Sequence, residues 1–171
     1  HKGQDKFTGK PVPVRTLAVL YPNRMHVVSI TASGIKKMAD LKGKRVSTGS
    51  GGSATEVMAF RVIEAAGLDK DKDMTRERLG VAESVNALKD RKIDAFFWVG
   101  GLPTAAVTDL ANSPGVTIQM IDHAELVPAM NKAGISVVSI EYRFIEEAIA
   151  DNVEPPVKGC LYDAARALQF V

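Results

Sequence analysis

An α/β fold with a mostly parallel sheet is what this chain of 171 residues predicts. Three observations carry that prediction. Short apolar runs alternate with stretches of helical spacing along most of the chain, as when crossover helices join strands. The stretch Lys44–Thr55, KRVSTGSGGSAT, reads as a strand, a glycine loop and a helix start. A second glycine pair, Gly100-Gly101, again stands between an apolar run and a helical one. In sheets of this kind ligands sit off the carboxyl ends of the strands. Both glycine loops fall at such ends.

The elements follow in order. Residues 1–13 read as loop. Val14–Tyr21 (VRTLAVLY) suits a buried strand, and Pro22-Asn23 is turn chemistry. His26–Ile30 is a second strand. Ser33-Gly34 opens a short helical piece, Ile35–Leu41, which ends at Gly43. Arg45–Ser47 is the strand before the first glycine loop. A helix then runs from about Thr55 to Ala66 and stops at Gly67, a favourable C-cap residue. Its Val57, Met58, Ile63 and Ala66 recur with helical spacing. Asp69–Arg78 is charged and reads as a solvated connection. Ala82–Lys89 is a helix with Val85 and Leu88 toward the core. Ile93–Val99 is a buried strand by its aromatics. Pro103 begins the helix Thr104–Ala111, since proline favours the first helical position. Ser113-Pro114-Gly115 turns the chain into a last strand, Val116–Ile121.

Bulk properties exclude several classes. Apolar content of 46% and charged content of 25% are ordinary for a globular protein. A net charge of +2 gives no strong pull toward nucleic acid or a membrane surface. No apolar run approaches the length of about 18 residues that marks a spanning helix. The first ten residues, HKGQDKFTGK, are polar and unlike a signal peptide, as in a mature exported protein. Cys160 is the single cysteine and reads as an inert thiol.

The first loop has the chemistry of an anion site. Glycines at 49, 51 and 52 permit positive φ and close approach of a ligand. The first N–H groups of the following helix lack intrahelical partners, and the helix dipole favours negative charge there. Ser47, Thr48, Ser50, Ser53 and Thr55 add hydroxyls. A tight turn without a ligand is the plainer alternative.

Gly49–Ala54 also fits G-x-G-x-x-A, the dinucleotide fingerprint. That motif asks for a second strand ending in an acid, and Leu68–Asp73 (LDKDKD) does not read as one. A Walker loop is excluded because no Gly-Lys-Ser/Thr follows. Phe96, Phe97 and Trp98 stand together on a strand and read mainly as core. For catalysis there is little: no G-x-S-x-G elbow, isolated His26 and His123, and no carboxylate pair in Asp94 and Asp109. Asp122, His123 and Glu125 do not have metal-ligand spacing. The expectation is a protein that binds without chemistry and needs no cofactor.

The segments LKGKRVSTGSGGSATEVMAFRVIEAAGLD and ALKDRKIDAFFWVGGLPTAAVTDLA resemble the TAXI family of TRAP-transporter solute-binding proteins. RTLAVLYPNRMHVV and SGIKKMADLKGKRVS fit as well, so the resemblance covers about residues 1–132. It implies a periplasmic, class II-like binding protein with two lobes. Such a receptor delivers a small organic anion, glutamate or another carboxylate, to a membrane permease, and binds no nucleic acid. The implied contacts are Ser47, Gly49, Ser53 and Thr55 in the first loop and Gly100, Gly101 and Pro103 in the second. Tyr21 and Asn23 would lie near the crossing between lobes. Ala54 stands where the family more often has glycine.

Two departures matter. The family's first lobe normally begins well before His1, so the resemblance implies an incomplete two-lobed architecture. Residues 1–27 would be the end of the first lobe and the crossing, and 28–132 the second lobe. From about residue 133 the chain leaves the family pattern. VVSIEYR followed by DAARALQFV resembles a strand and helix of α/β-hydrolase esterases, without a nucleophile. Residues 133–171 thus read as an atypical segment, a fusion or fragment. The alternatives to a receptor are a piece of such an esterase or a dinucleotide enzyme. With one lobe absent, weak or undetectable binding is expected.

Overall fold

The computed structural model describes residues 23–133, together with Gly9. The expected strand Val14–Tyr21, Cys160 and the segment from 134 onward lie outside the described residues. Among the described residues five strands form one sheet: β1 (Arg24–Ile30), β2 (Arg45–Ser47), β3 (Thr75–Glu77), β4 (Ala95–Gly100) and β5 (Ile118–Met120). Their order is β3-β2-β4-β1-β5. β2 pairs parallel with β3 and β4, whereas β1 pairs antiparallel with β4 and β5. Four strands therefore run one way, and β1 runs against them between β4 and β5. The sheet is mostly parallel in strand direction, as the sequence predicts, and mixed in its pairings.

Four described helices cover both faces: α1 (Ala54–Ala65), α2 (Val81–Lys89), α3 (Ala105–Ala111) and α4 (Val127–Lys132). Successive strand residues point to opposite faces, and the core divides accordingly. Val27, Val46, Ala95 and Phe97 pack with Ala59, Val62 and Ile63 of α1 and Met130 of α4. Val28 and Phe96 pack on the other face with Val85 and Leu88 of α2 and Leu110 of α3. A strand buried on both faces reads as a continuous apolar run. AFFWV in β4 is such a run because β4 is central.

Several local expectations are corrected. Asp69–Arg78 is not all connection: Thr75–Glu77 forms β3, the edge strand beside β2. Thr75 and Glu77 are exposed, and a short polar edge strand carries no apolar alternation to read. Ile35–Leu41 is not a helix from its start. A 3-10 turn at Thr31–Ser33 ends at Gly34 with φ 72°, and a second spans Met38–Leu41. Pro103 does not begin α3, because Thr104 is the N-cap and the helix starts at Ala105. On α1 the fully buried residues are Thr55, Glu56, Ala59, Val62 and Ile63, while Val57 is only half-buried.

The end of the sheet where β2 begins is pinned by an ion pair. Asp94 accepts from the Arg45 side chain at 3.1 Å (Nε) and 2.7 Å (Nη2), and from its backbone N–H at 2.9 Å. The guanidinium holds the Asp94 carboxyl below the usual range. Asp94 thus has a structural partner, at the opposite end of the strands from the glycine loops.

Candidate functional site

β2 and β4 are parallel neighbours, so the loops that leave them emerge at one edge of the sheet. β1 is antiparallel to β4 and starts there too, with Arg24 opposite Gly100. Asn23, exposed, precedes it at the same edge. The tertiary structure therefore gathers Asn23, Gly49, Ser53, Gly100 and Gly101. Tyr21 lies outside the described residues.

The first loop closes on itself in a defined way. Ser53 is the N-cap of α1, and its Oγ accepts the Glu56 N–H at 3.1 Å. Glu56 carries a buried carboxylate whose Oε2 accepts the Gly52 N–H at 2.7 Å. Its other oxygen, Oε1, takes Arg76 at 3.2 Å and Arg78 at 3.0 Å. Arg76 also lies over the Phe60 ring, 5.0 Å from its centroid. A charge of the chain's own thus sits against the helix start, neutralised by two guanidinium groups. The N–H groups of Ala54 and Thr55, in the first turn, are left out of this arrangement among the described residues.

Gly49 has φ 93°, and a Cβ there would lie 2.7 Å from Thr55 Cγ2. Only glycine fits, on both backbone and contact grounds. Thr55 is itself buried, and its Oγ1 accepts the Val99 N–H of β4 at 3.3 Å. Ser47 is fully buried, and its Oγ lies 2.8 Å from that of Ser84 on α2. The structure thus separates the expected hydroxyls into two groups. Ser47 and Thr55 turn inward to protein partners, and Ser53 caps a helix at the half-buried edge.

The second loop is braced from below. The single tryptophan, Trp98, donates through Nε1 to Thr104 Oγ1 at 3.0 Å, and that hydroxyl donates to the Gly101 carbonyl at 2.8 Å. A Cβ on Gly100 would fall 2.5 Å from the indole nitrogen. Gly100 is therefore required for the indole to lie against the backbone. Leu102 and Pro103 follow, joined by a cis peptide and exposed.

Sequence reasoning missed Glu56, Arg78 and Thr104. Glu56 had a legible signal, since Ser53-Ala54-Thr55-Glu56 is a capping-box pattern. Arg78 had none, because its approach to Gly51 depends on β3 lying beside β2. The dinucleotide alternative also changes footing. β3 is a strand and ends in an acid, Glu77, as the fingerprint asks. The Glu56 carboxylate already takes the Gly52 N–H, so that loop donor is not free for a pyrophosphate oxygen.

Of the remaining candidates, Asp109 is exposed on α3, and His123 donates through Nδ1–H to the Ile121 carbonyl at 3.0 Å. Among the described residues no group of three His, Cys, Asp or Glu side chains is placed to hold a metal. No described helix is long and apolar enough to cross a membrane.

Residues 1–140 match the sequence pattern described as the NMT1-like family. Among solved structures, the chain is similar to a periplasmic sulfonate-binding protein of a sulfonate ABC transporter from Methylobacillus flagellatus. That match has 22% identity, 58% of this chain, 27% of that one and a TM-score of 0.47. The alkanesulfonate-binding protein from Xanthomonas axonopodis pv. citri, bound to MOPS, matches at 23% identity, over 60% of this chain and 35% of that one, TM-score 0.46. The periplasmic aliphatic sulphonate binding protein from Escherichia coli matches at 21% identity, over 85% and 50%, TM-score 0.43. The chain thus spans half or less of the length of each of these three.

Proposed function

The chain belongs to the NMT1-like family, and from that premise we propose that it is one lobe of a solute-binding receptor serving a membrane transporter. The reading is of a class II periplasmic-binding-protein lobe, residues 28–132, with the crossing before it. Its ligand is a small organic anion held at the edge where the two glycine loops meet. The observation that carries this reading is the convergence of Gly49–Ser53 and Gly100-Gly101 on one edge, with the start of α1 between them. The N–H groups of Ala54 and Thr55 face an anion there with the α1 dipole behind them. Ser53, Asn23 and the Gly101 backbone line the approach, and Pro103 borders it. Arg78, more than half exposed and tied only to Glu56 among the described residues, adds positive charge at the rim.

The mechanism is binding without chemistry. Charge-assisted hydrogen bonds at a helix start are roughly twice as strong as neutral ones. A second lobe would close over the ligand and supply its remaining contacts, and the receptor would then dock on the permease. A periplasmic location follows from this reading. The finer reading is a TRAP-type receptor of the TAXI kind with a carboxylate such as glutamate. It rests on the residue pattern around the two loops. The N–H donors themselves accept a sulfonate as readily as a carboxylate.

Calorimetric titration of the full chain with glutamate, 2-oxoglutarate, MOPS and NAD tests the proposal. Binding of glutamate or 2-oxoglutarate that weakens in Ser53→Ala supports a carboxylate receptor. MOPS binding alone keeps the receptor and replaces the ligand class. NAD binding without the others overturns it.

A further inference from the structure

β2 ends at Ser47, paired with Phe96, yet its neighbour β4 runs on to Gly100. From Val99 onward β4 has lost its parallel partner on that side. A backbone N–H left without an acceptor in a buried setting is costly. The Val99 N–H finds its acceptor in a side chain, Thr55 Oγ1, at 3.3 Å. Thr55 stands in the first turn of α1, 44 residues away in sequence. Its hydroxyl takes the place of the next rung of the ladder. Its methyl meanwhile lies against Gly49, where even a single added carbon would come within 2.7 Å. One buried side chain, 5% exposed, thus meets the first loop and the end of β4, just before the second loop, by different atoms.

We propose that Thr55 is a positioning residue that holds the two glycine loops in register, and that its hydroxyl is not a ligand contact. The inference rests on the proposed binding edge for its purpose, but the coupling itself is a property of the unliganded chain. A ligand that orders the first loop would, through Thr55, order the end of β4 and the loop after it. The hydroxyl keeps the Val99 N–H satisfied, and the methyl fixes the distance to Gly49. Threonine is the residue that carries both groups on one Cβ. Serine keeps the acceptor alone, and valine keeps the methyl alone.

Amide hydrogen exchange of the full chain, read residue by residue by NMR, tests this with Thr55→Val and Thr55→Ser. In the wild-type chain the Val99 amide should be protected to a degree comparable with Phe97. Thr55→Val should raise Val99 exchange by about fivefold or more, as loss of one hydrogen bond implies, with Gly49 unchanged. Thr55→Ser should restore Val99 protection and instead raise exchange at Gly49 and Ser50. An unprotected Val99 in the wild type overturns the proposal without any variant, as does a uniform rise across α1 and the sheet in both variants. Glutamate and MOPS titrations supply a second readout. Shifts at both loops in the wild type, with the second loop silent in Thr55→Val, support coupling. If neither compound shifts any resonance, neither is a ligand of this chain by itself, and the exchange pattern still decides the role of Thr55.

Discussion

The Glu56 carboxylate accepts the Gly52 N–H at 2.7 Å, so the glycine loop is closed by an anion that belongs to the chain itself. That carboxylate is buried and also takes Arg76 and Arg78. Glu56→Ala would leave the Arg76 side chain, four-fifths buried, without this partner. Removing one member of a buried pair costs about 3 kcal/mol. Urea unfolding should show that loss, and Glu56→Gln, which keeps an acceptor for Gly52, should lose less. Equal losses in the two variants would mean that charge, not the loop bond, dominates.

Ser47 and Ser84 form a buried hydroxyl pair that ties β2 to α2 beneath the first loop. Either single alanine substitution leaves the other hydroxyl only a long bond to the Leu79 carbonyl, 3.4 Å from Ser47 and 3.5 Å from Ser84, and should cost about 1 kcal/mol. The double substitution should cost less than the sum of the two. A double-mutant cycle of unfolding free energies measures the coupling, and strict additivity would show that the pair is not an energetic unit.

Gly49→Ala should be among the most damaging glycine substitutions in the described residues. It places a Cβ at φ 93° and against Thr55, and strain of this kind costs about 1–3 kcal/mol. Gly51→Ala is the control, because its Cβ would meet only the Arg78 side chain, at ordinary contact distances of 3.7 and 3.9 Å. Thermal unfolding of the two variants should differ clearly, and matched melting temperatures would contradict the packing described for Gly49.

His26 makes stability depend on pH. It is buried on β1, and among the described residues neither ring nitrogen has a hydrogen-bond partner. Burial first, then the charges of Arg24 and His123, lower its pKa from 6.5. The unfolded chain therefore takes up a proton near pH 6.5 that the folded chain refuses until lower pH. Stability held above pH 6.5 should fall as pH drops from there through the folded pKa. Asp94, held low by Arg45, loses its contribution only below about pH 4, where unfolded aspartate titrates, so the two windows separate. Urea midpoints between pH 7.5 and 5 should decline in the wild type and flatten in His26→Phe. An equal decline in both would assign the slope to another group.

The sequence by itself determined the layer. The apolar runs at β1 and β4, the helical spacing of α1 and α2 and the punctuation at Gly34, Gly67 and Pro114-Gly115 are local signals. They arise from burial on one face or two, and from backbone conformations that glycine and proline favour. It also determined that two glycine loops follow strands, and Ser53 as the head of α1.

Only the tertiary structure decided what those loops touch. β3 has no apolar alternation, because it is held by pairing with β2 and by the Arg76–Glu56 ion pair and not by burial of apolar side chains. The direction of β1 is likewise invisible in its residues, since an apolar strand reads the same either way. The fate of each hydroxyl was hidden for the same reason. Ser47, Ser53 and Thr55 are alike in kind, yet one meets Ser84, one caps a helix and one completes the ladder of β4. These partners lie 37, 3 and 44 residues away. A spacing of three residues is written in the chain as a cap. The other two exist only once the sheet has brought α1, α2 and β4 around the same edge.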